Sequence, residues 1–176
     1  MRILTVLLAA LLTATGAQAQ DWSGPYAGLG FSQADGEQVT PFVFPMKGTP
    51  VSLFAGYNSQ RGNLVFGGEL AIHQNDIVLI EFPGIEYNDL VDLKARIGFA
   101  MGRTLVYGTV GRAQSRYELT NFRETLTGSS YGAGAEVQVS DRVFVGAEYL
   151  TRDLDFTSSA NQNEVNTVTL RLGVSF

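Results

Sequence analysis

The chain has 176 residues, with 12 Lys and Arg against 17 Asp and Glu, a net charge of −5, and no cysteine. An acidic balance of this size excludes a nucleic-acid partner, and the missing cysteine excludes both a disulfide framework and a lipid anchor on an N-terminal thiol. The length is that of one domain, and 20 glycines beside 11 Phe and 7 Tyr suit strands that curve tightly.

Met1-Arg2 is a short positive start, Ile3 to Leu12 is apolar, and Ala17-Gln18-Ala19 has the small-x-small form of a cleavage site. Residues 1–19 are therefore expected to be a secretory signal peptide, leaving 20–176 as the mature chain. A membrane-spanning helix is the competing reading, and it fails on length, because a bilayer demands about 20 apolar residues. Loss of Arg2 with the leader makes the mature chain one unit more acidic.

Eight strands are then expected, at 24–32, 51–58, 64–74, 89–100, 104–115, 130–139, 143–152 and 165–176, with no helical period in any of them. Their connections alternate: long at 33–50, short at 59–63, long at 75–88, short at 101–103, long at 116–129, short at 140–142, long at 153–164. Short turns carry suitable residues, Gln60-Arg61-Gly62-Asn63, Met101-Gly102-Arg103 and Ser140-Asp141-Arg142. In an up-and-down barrel, alternate connections leave from opposite ends. Outer-membrane barrels keep the short turns in the periplasm and the long loops outside.

Strand phase separates two faces. Leu64, Phe66, Leu70 and Ile72 share one, as do Val91, Leu93, Ala95, Ile97 and Phe99; Leu105 and Tyr107; Tyr131, Ala133, Ala135 and Val137; and Val143, Val145, Ala147 and Tyr149. The same phasing turns Glu69, Asp92, Lys94, Arg96, Arg112, Glu136, Glu148 and Arg171 to the other face. The last nine residues alternate without a break and stop on Phe176. An Arg or Lys on a lipid face near the midplane costs roughly 2–4 kcal/mol, so the apolar set is read as lipid-facing and the charged set as interior. A soluble barrel would have the opposite sense, with its charges on a solvated surface. The expectation is an all-β, eight-stranded antiparallel transmembrane barrel in the outer membrane.

Eight strands enclose an interior just wide enough for side chains. The inward charges are thus expected to cross-link as a salt-bridge network rather than form a selectivity filter. The only histidine is His73, in Ala71-Ile72-His73-Gln74-Asn75-Asp76, and no His-x-Ser follows it. Ser115 or Ser130 as nucleophile with Asp76 as orienter is the enzymatic reading; a hydrogen-bonding interior or rim histidine is the plainer one and is preferred. No metal-ligand spacing and no cofactor motif is present. Thr40-Pro-Phe-Val-Phe-Pro-Met46 and Ile77 to Glu86 are apolar for solvent-facing loops. Either strands run past the membrane and these segments pair at the barrel mouth, which is preferred, or they contact lipopolysaccharide or another protein. Asp76, Glu81, Glu86 and Asp89 would meet phosphates there only through divalent cations.

Ser130-Ser-Tyr-Gly-Ala-Gly-Ala-Glu-Val137, the Ser140-Asp141-Arg142 turn and Val143-Phe-Val-Gly-Ala-Glu-Tyr-Leu150 closely resemble the closing hairpin of the small opacity-type, porin-like outer-membrane β-barrel family of Gram-negative bacteria. Gly24-Pro-Tyr-Ala-Gly28 and Leu170-Arg-Leu-Gly-Val-Ser-Phe176 resemble its opening and closing strands. The resemblance implies eight antiparallel strands, insertion by the barrel-assembly machinery with Phe176 as the assembly signal, a monomer, and partners in outer-membrane lipid and lipopolysaccharide. It carries over no catalytic motif. A structural or surface-interaction role is expected, with a narrow diffusion channel or a lipid A-modifying enzyme as alternatives.

Overall fold

A computed structural model describes residues 21–39, 43–74, 77–79, 86–119, 122–156 and 162–176. They form ten strands: β1 (Gly24–Val39), β2 (Val43–Gly48), β3 (Val51–Arg61), β4 (Leu64–Gln74), β5 (Ile77–Leu79), β6 (Glu86–Met101), β7 (Thr104–Leu119), β8 (Phe122–Gln138), β9 (Val143–Phe156) and β10 (Gln162–Ser175). Eight of them make the wall, in the order β10-β9-β8-β7-β6-β4-β3-β1, and β10 pairs back to β1 to close it. Closure leaves no unpaired edge, which is the condition hydrocarbon imposes on any spanning sheet. All wall pairings are antiparallel, from Tyr26↔Ser175 at the seam to Ala135↔Ala147 on the far side.

The two remaining strands belong to the rim. Here β2 pairs with β1 and with β5, and β5 pairs with β6, so the wall continues above the shorter β3 and β4. Proline explains the break between β2 and β3. Pro50 cannot donate to a ladder, but its carbonyl accepts the Ser32 N–H at 2.9 Å and carries the β1–β3 pairing one step further.

Expected strands are all present, and most are longer than expected. The described residues of the long connections at 33–50, 75–88, 116–129 and 153–164 are mostly strand, because the ladder continues past the apolar band into polar sequence that alternation alone does not mark. Backbone pairing at the mouth is what Val43–Met46 and Ile77–Leu79 show, and Glu86 and Asp89 fall within β6. Thr40, Asp76 and Glu81 lie outside the described residues.

Hairpins at the opposite end are tight. Gly62 and Gly102 open two-residue loops with φ of +61° and +60°, the left-handed region that glycine enters without cost. Between β8 and β9, the Val143 N–H donates to Ser140 Oγ at 3.1 Å.

The outer face carries the apolar band. Val110, Leu93 and Leu170 are more than 60% exposed, and Phe31, Tyr57, Phe66, Phe99, Tyr131, Tyr149 and Phe176 add aromatic rings. On β10 the band runs from Phe176 to Val168, about 26 Å along the strand at about 3.3 Å per residue. At the usual tilt of about 40° that is roughly 20 Å across, close to the apolar girdle of about 25 Å in outer-membrane barrels. Beyond it, the exposed positions become Gln33, Gln74, Arg112, Gln114, Thr127 and Glu164.

The polar end should face outward. Cysteines at Lys47 and Glu164, both exposed on that end, should react with a membrane-impermeant maleimide on intact cells, and cysteines at Gly62 and Asp141 should react only after lysis. Reversed labelling would refute the orientation. Ser32 is no use for this purpose: it points inward, with Oγ 2.8 Å from Thr169 Oγ1.

Candidate functional site

The floor of the interior is aromatic. Trp22, Tyr26, Phe54, Val65, Ala100, Leu105, Tyr107 and Phe144 form one buried cluster at the short-turn end. Trp22 is held by its backbone N–H donating to Gln60 Oε1 at 2.8 Å, and the Tyr26 and Phe144 rings meet edge to face at 6.1 Å. Each large ring lies over a glycine on the facing strand. Phe144 is opposite Gly173, Tyr107 opposite Gly134, and a Cβ at either glycine would overlap the ring. Glycine at these places is a packing requirement, since the bore is too narrow for both side chains.

Above the floor lies a charged belt. Arg171 donates to Glu69 Oε2 at 2.5 Å and Oε1 at 3.0 Å, and to Glu136 Oε1 at 3.1 Å, and is 3.5 Å from Glu148 Oε1. Arg96 donates to Glu136 Oε2 at 2.8 Å and to the Tyr26 hydroxyl at 2.9 Å, and its guanidinium lies 3.8 Å from the centre of the Tyr107 ring. Lys94 joins Glu69 at 2.9 Å and Glu148 at 2.6 Å. Tyr26 donates to Glu69, and Tyr107 to Glu148. Three acids face three bases, so the belt is neutral. All six are 5% exposed or less. With Tyr26, Phe54 beneath Arg171, and Tyr107, every one of the eight wall strands contributes a side chain.

A second cluster sits nearer the outer rim. Arg152 donates Nη2 and Nε to the Asp92 carboxylate at 2.7 and 3.0 Å, and Nη1 to Thr167 Oγ1 at 3.0 Å. His73 Nε2 is 2.9 Å from Asp92 Oδ2. Leu126, Leu154 and Val165 are buried farther toward the rim.

Seven of the eight charges expected inside are there: Glu69, Asp92, Lys94, Arg96, Glu136, Glu148 and Arg171. Arg112 is the correction, being exposed on the outer face. Cross-strand partners share a face, and the Gly102-Arg103 turn pairs Ala100 with Leu105 and Gly98 with Tyr107. Leu105 and Tyr107 are thus inside, not toward lipid, and Val106, Val110 and Arg112 are outside. Arg152 is a member that sequence phasing did not select, although its even-numbered spacing from Glu148 marks the same face. Tyr26, Tyr107 and Phe54 were also missed, because an aromatic in a barrel strand reads first as a lipid-facing ring.

His73 is interior and orientated by Asp92. Asp76 lies outside the described residues. Ser130 is buried, and its Oγ has no hydrogen-bond partner among the described residues, His73 included. No group of three or more His, Cys, Asp or Glu among the described residues is placed to hold a metal ion.

Comparison with known proteins agrees with this architecture. The family model for the outer membrane protein beta-barrel domain matches residues 4–176. A 22 kDa outer membrane protein of Rhizobium leguminosarum bv. viciae is 30% identical over 139 residues, covering 70% of this chain and 64% of that protein. The 25 kDa outer-membrane immunogenic protein of Brucella abortus is 26% identical over 172 residues, covering 88% of this chain and 78% of that one. Among solved structures, Neisserial surface protein A superposes with a TM-score of 0.62 at 16% identity, over 88% of this chain and 98% of that one. Ail, the attachment invasion locus protein of Yersinia pestis, superposes with a TM-score of 0.58 at 17% identity, over 87% and 99%. A closed eight-stranded wall, an apolar exterior and a family match over nearly the whole sequence lead to one assignment: the chain belongs to the outer-membrane β-barrel family and resides in the outer membrane of a Gram-negative bacterium.

Proposed function

We propose that this protein is a structural and surface-interaction barrel whose lumen does not conduct. The observation that carries the reading is the belt, in which every charge is buried and paired across the bore. Any solute path would have to separate ion pairs held in a narrow, desolvated interior, and the aromatic floor closes the same bore below. The Brucella relatives are named immunogenic and the Neisserial neighbour a surface protein, which fits presentation at the cell exterior. On this reading residues 1–19 are removed as a signal peptide, the barrel is a monomer in lipid and lipopolysaccharide, and the barrel-assembly machinery inserts it, reading Phe176.

In planar bilayers the purified native barrel should stay at background conductance. Long-lived, ion-selective openings that Arg171→Ala abolishes without loss of stability would replace this reading with a diffusion channel. Mass spectra of lipid A from cells with and without the protein should be identical. An acyl chain gained or lost with the protein would instead make it a lipid-modifying enzyme.

A further inference from the structure

The outer wall is not evenly covered. Between β6 and β9 the lipid-facing surface sinks into a hollow of about 570 Å³. Its floor is Gly108 and Ala133, its sides are Ile97 and Tyr149, and Val110 and Tyr131 stand above it. Unlike the glycines under the interior rings, Gly108 is not demanded by packing: a Cβ there would meet only the Gly132 carbonyl oxygen at 3.8 Å. The barrel would accept a larger residue at this position, and the hollow exists because it has none.

One outward step beyond Val110 is Arg112, which is exposed and makes no ion pair among the described residues. Its row runs Leu93, Arg112, Ser129, Asp153, Glu164 across β6 to β10. The cation is therefore at the β7 end, over the hollow, with Ser129 between it and the nearest outward carboxylate in that row. Arg112 lies four positions along the strand from Gly108, about 13 Å, within the reach of one acyl chain.

We propose that this hollow and Arg112 form a binding site for lipid A of the outer leaflet, with a phosphate on the guanidinium and an acyl chain lying down into the hollow. An arginine at the edge of hydrocarbon matches a phosphate in charge and in fork geometry. The site is at the band's polar edge, on the side of the wall opposite the short turns, which is the outer leaflet in the orientation given above. The inference rests on the surface-barrel reading and gives that surface a ligand.

The test is native mass spectrometry of the purified barrel with three probes: lipid A carrying both phosphates, the same lipid A dephosphorylated, and phosphatidylethanolamine. The native protein should retain diphosphorylated lipid A best. Arg112→Gln should weaken that retention roughly tenfold and leave dephosphorylated lipid A unchanged. Gly108→Leu, or Ala133→Leu should the first not fold, should weaken both lipid A forms, and Leu53→Ala on the far wall should change none. Equal retention of all probes by all variants would overturn the site. So would a disulfide-linked pair formed through Ala133→Cys, which would make a second copy the occupant. A folded, surface-labelled barrel without lipid A preference sinks this inference alone, whereas failure of Lys47→Cys to label on intact cells sinks the underlying reading.

Discussion

Arg171→Ala should destabilise the barrel by about 3–5 kcal/mol, the range for removing one partner of a buried ion pair. Arg171 touches Glu69, Glu136 and Glu148, and its loss leaves three carboxylates facing only Lys94 and Arg96. The guanidinium also covers the Phe54 ring at 3.9 Å, so a packing contact goes with the charge. Urea titration of the refolded barrel, followed by Trp22 fluorescence, measures the change. Arg171→Lys should recover only part of it, because an ammonium cannot bridge two carboxylates with a planar fork. Glu136→Gln in the Arg171→Ala background should restore some stability by restoring charge balance, a coupling that two independent sites would not show. A loss below about 1 kcal/mol would mean that the belt is hydrated and contributes little.

Phe176→Ala should have a large effect in cells and a small one in the test tube. The ring is 73% exposed on the outer wall, and the residue's tie to the barrel is its backbone N–H, which donates to the Pro25 carbonyl at 3.0 Å. Alanine keeps that bond. The refolded variant should therefore match the native barrel to within about 1 kcal/mol, as surface substitutions do. If Phe176 is the assembly signal, the amount of protein in the outer membrane should nevertheless fall sharply, with precursor-sized or degraded chain in the periplasm. Equal loss in both assays would mark the ring as a stability element. Unchanged membrane yield would mark it as only the end of a strand.

The wall was legible in the sequence because lipid enforces a period of two. Val91 to Phe99 and Leu170 to Phe176 alternate without exception, and the structure places those apolar side chains on the outer face. The phase of β7 was harder. It holds Gly108 and Gly111, Leu105 and Tyr107 look apolar enough for lipid, and only the two-residue turn before it fixes which parity is inside. Counting back across Gly102-Arg103 from Phe99 would have put Val106 outside and Arg112 with it. Strand ends were harder still. Above the membrane both faces are wet or rim-bound, so composition no longer separates strand from loop, and the pairing of β2 with β5 depends on which strands happen to be long. The interior partners of each charge were not legible, since Arg171 finds Glu69 across 102 residues of sequence. Nothing local specifies that meeting.

That separation has a consequence for how the molecule enters its membrane. Glu69 on β4 and Arg171 on β10 are 102 residues apart, and once β9 has added Glu148 the belt's charges balance only when β10 brings Arg171. A sheet inserted with β10 still absent would hold one unmatched carboxylate at membrane depth, where charge is most costly. A sheet lacking only β10 is therefore less favourable in hydrocarbon than the closed ring, and β10 delivers the cation that restores the balance.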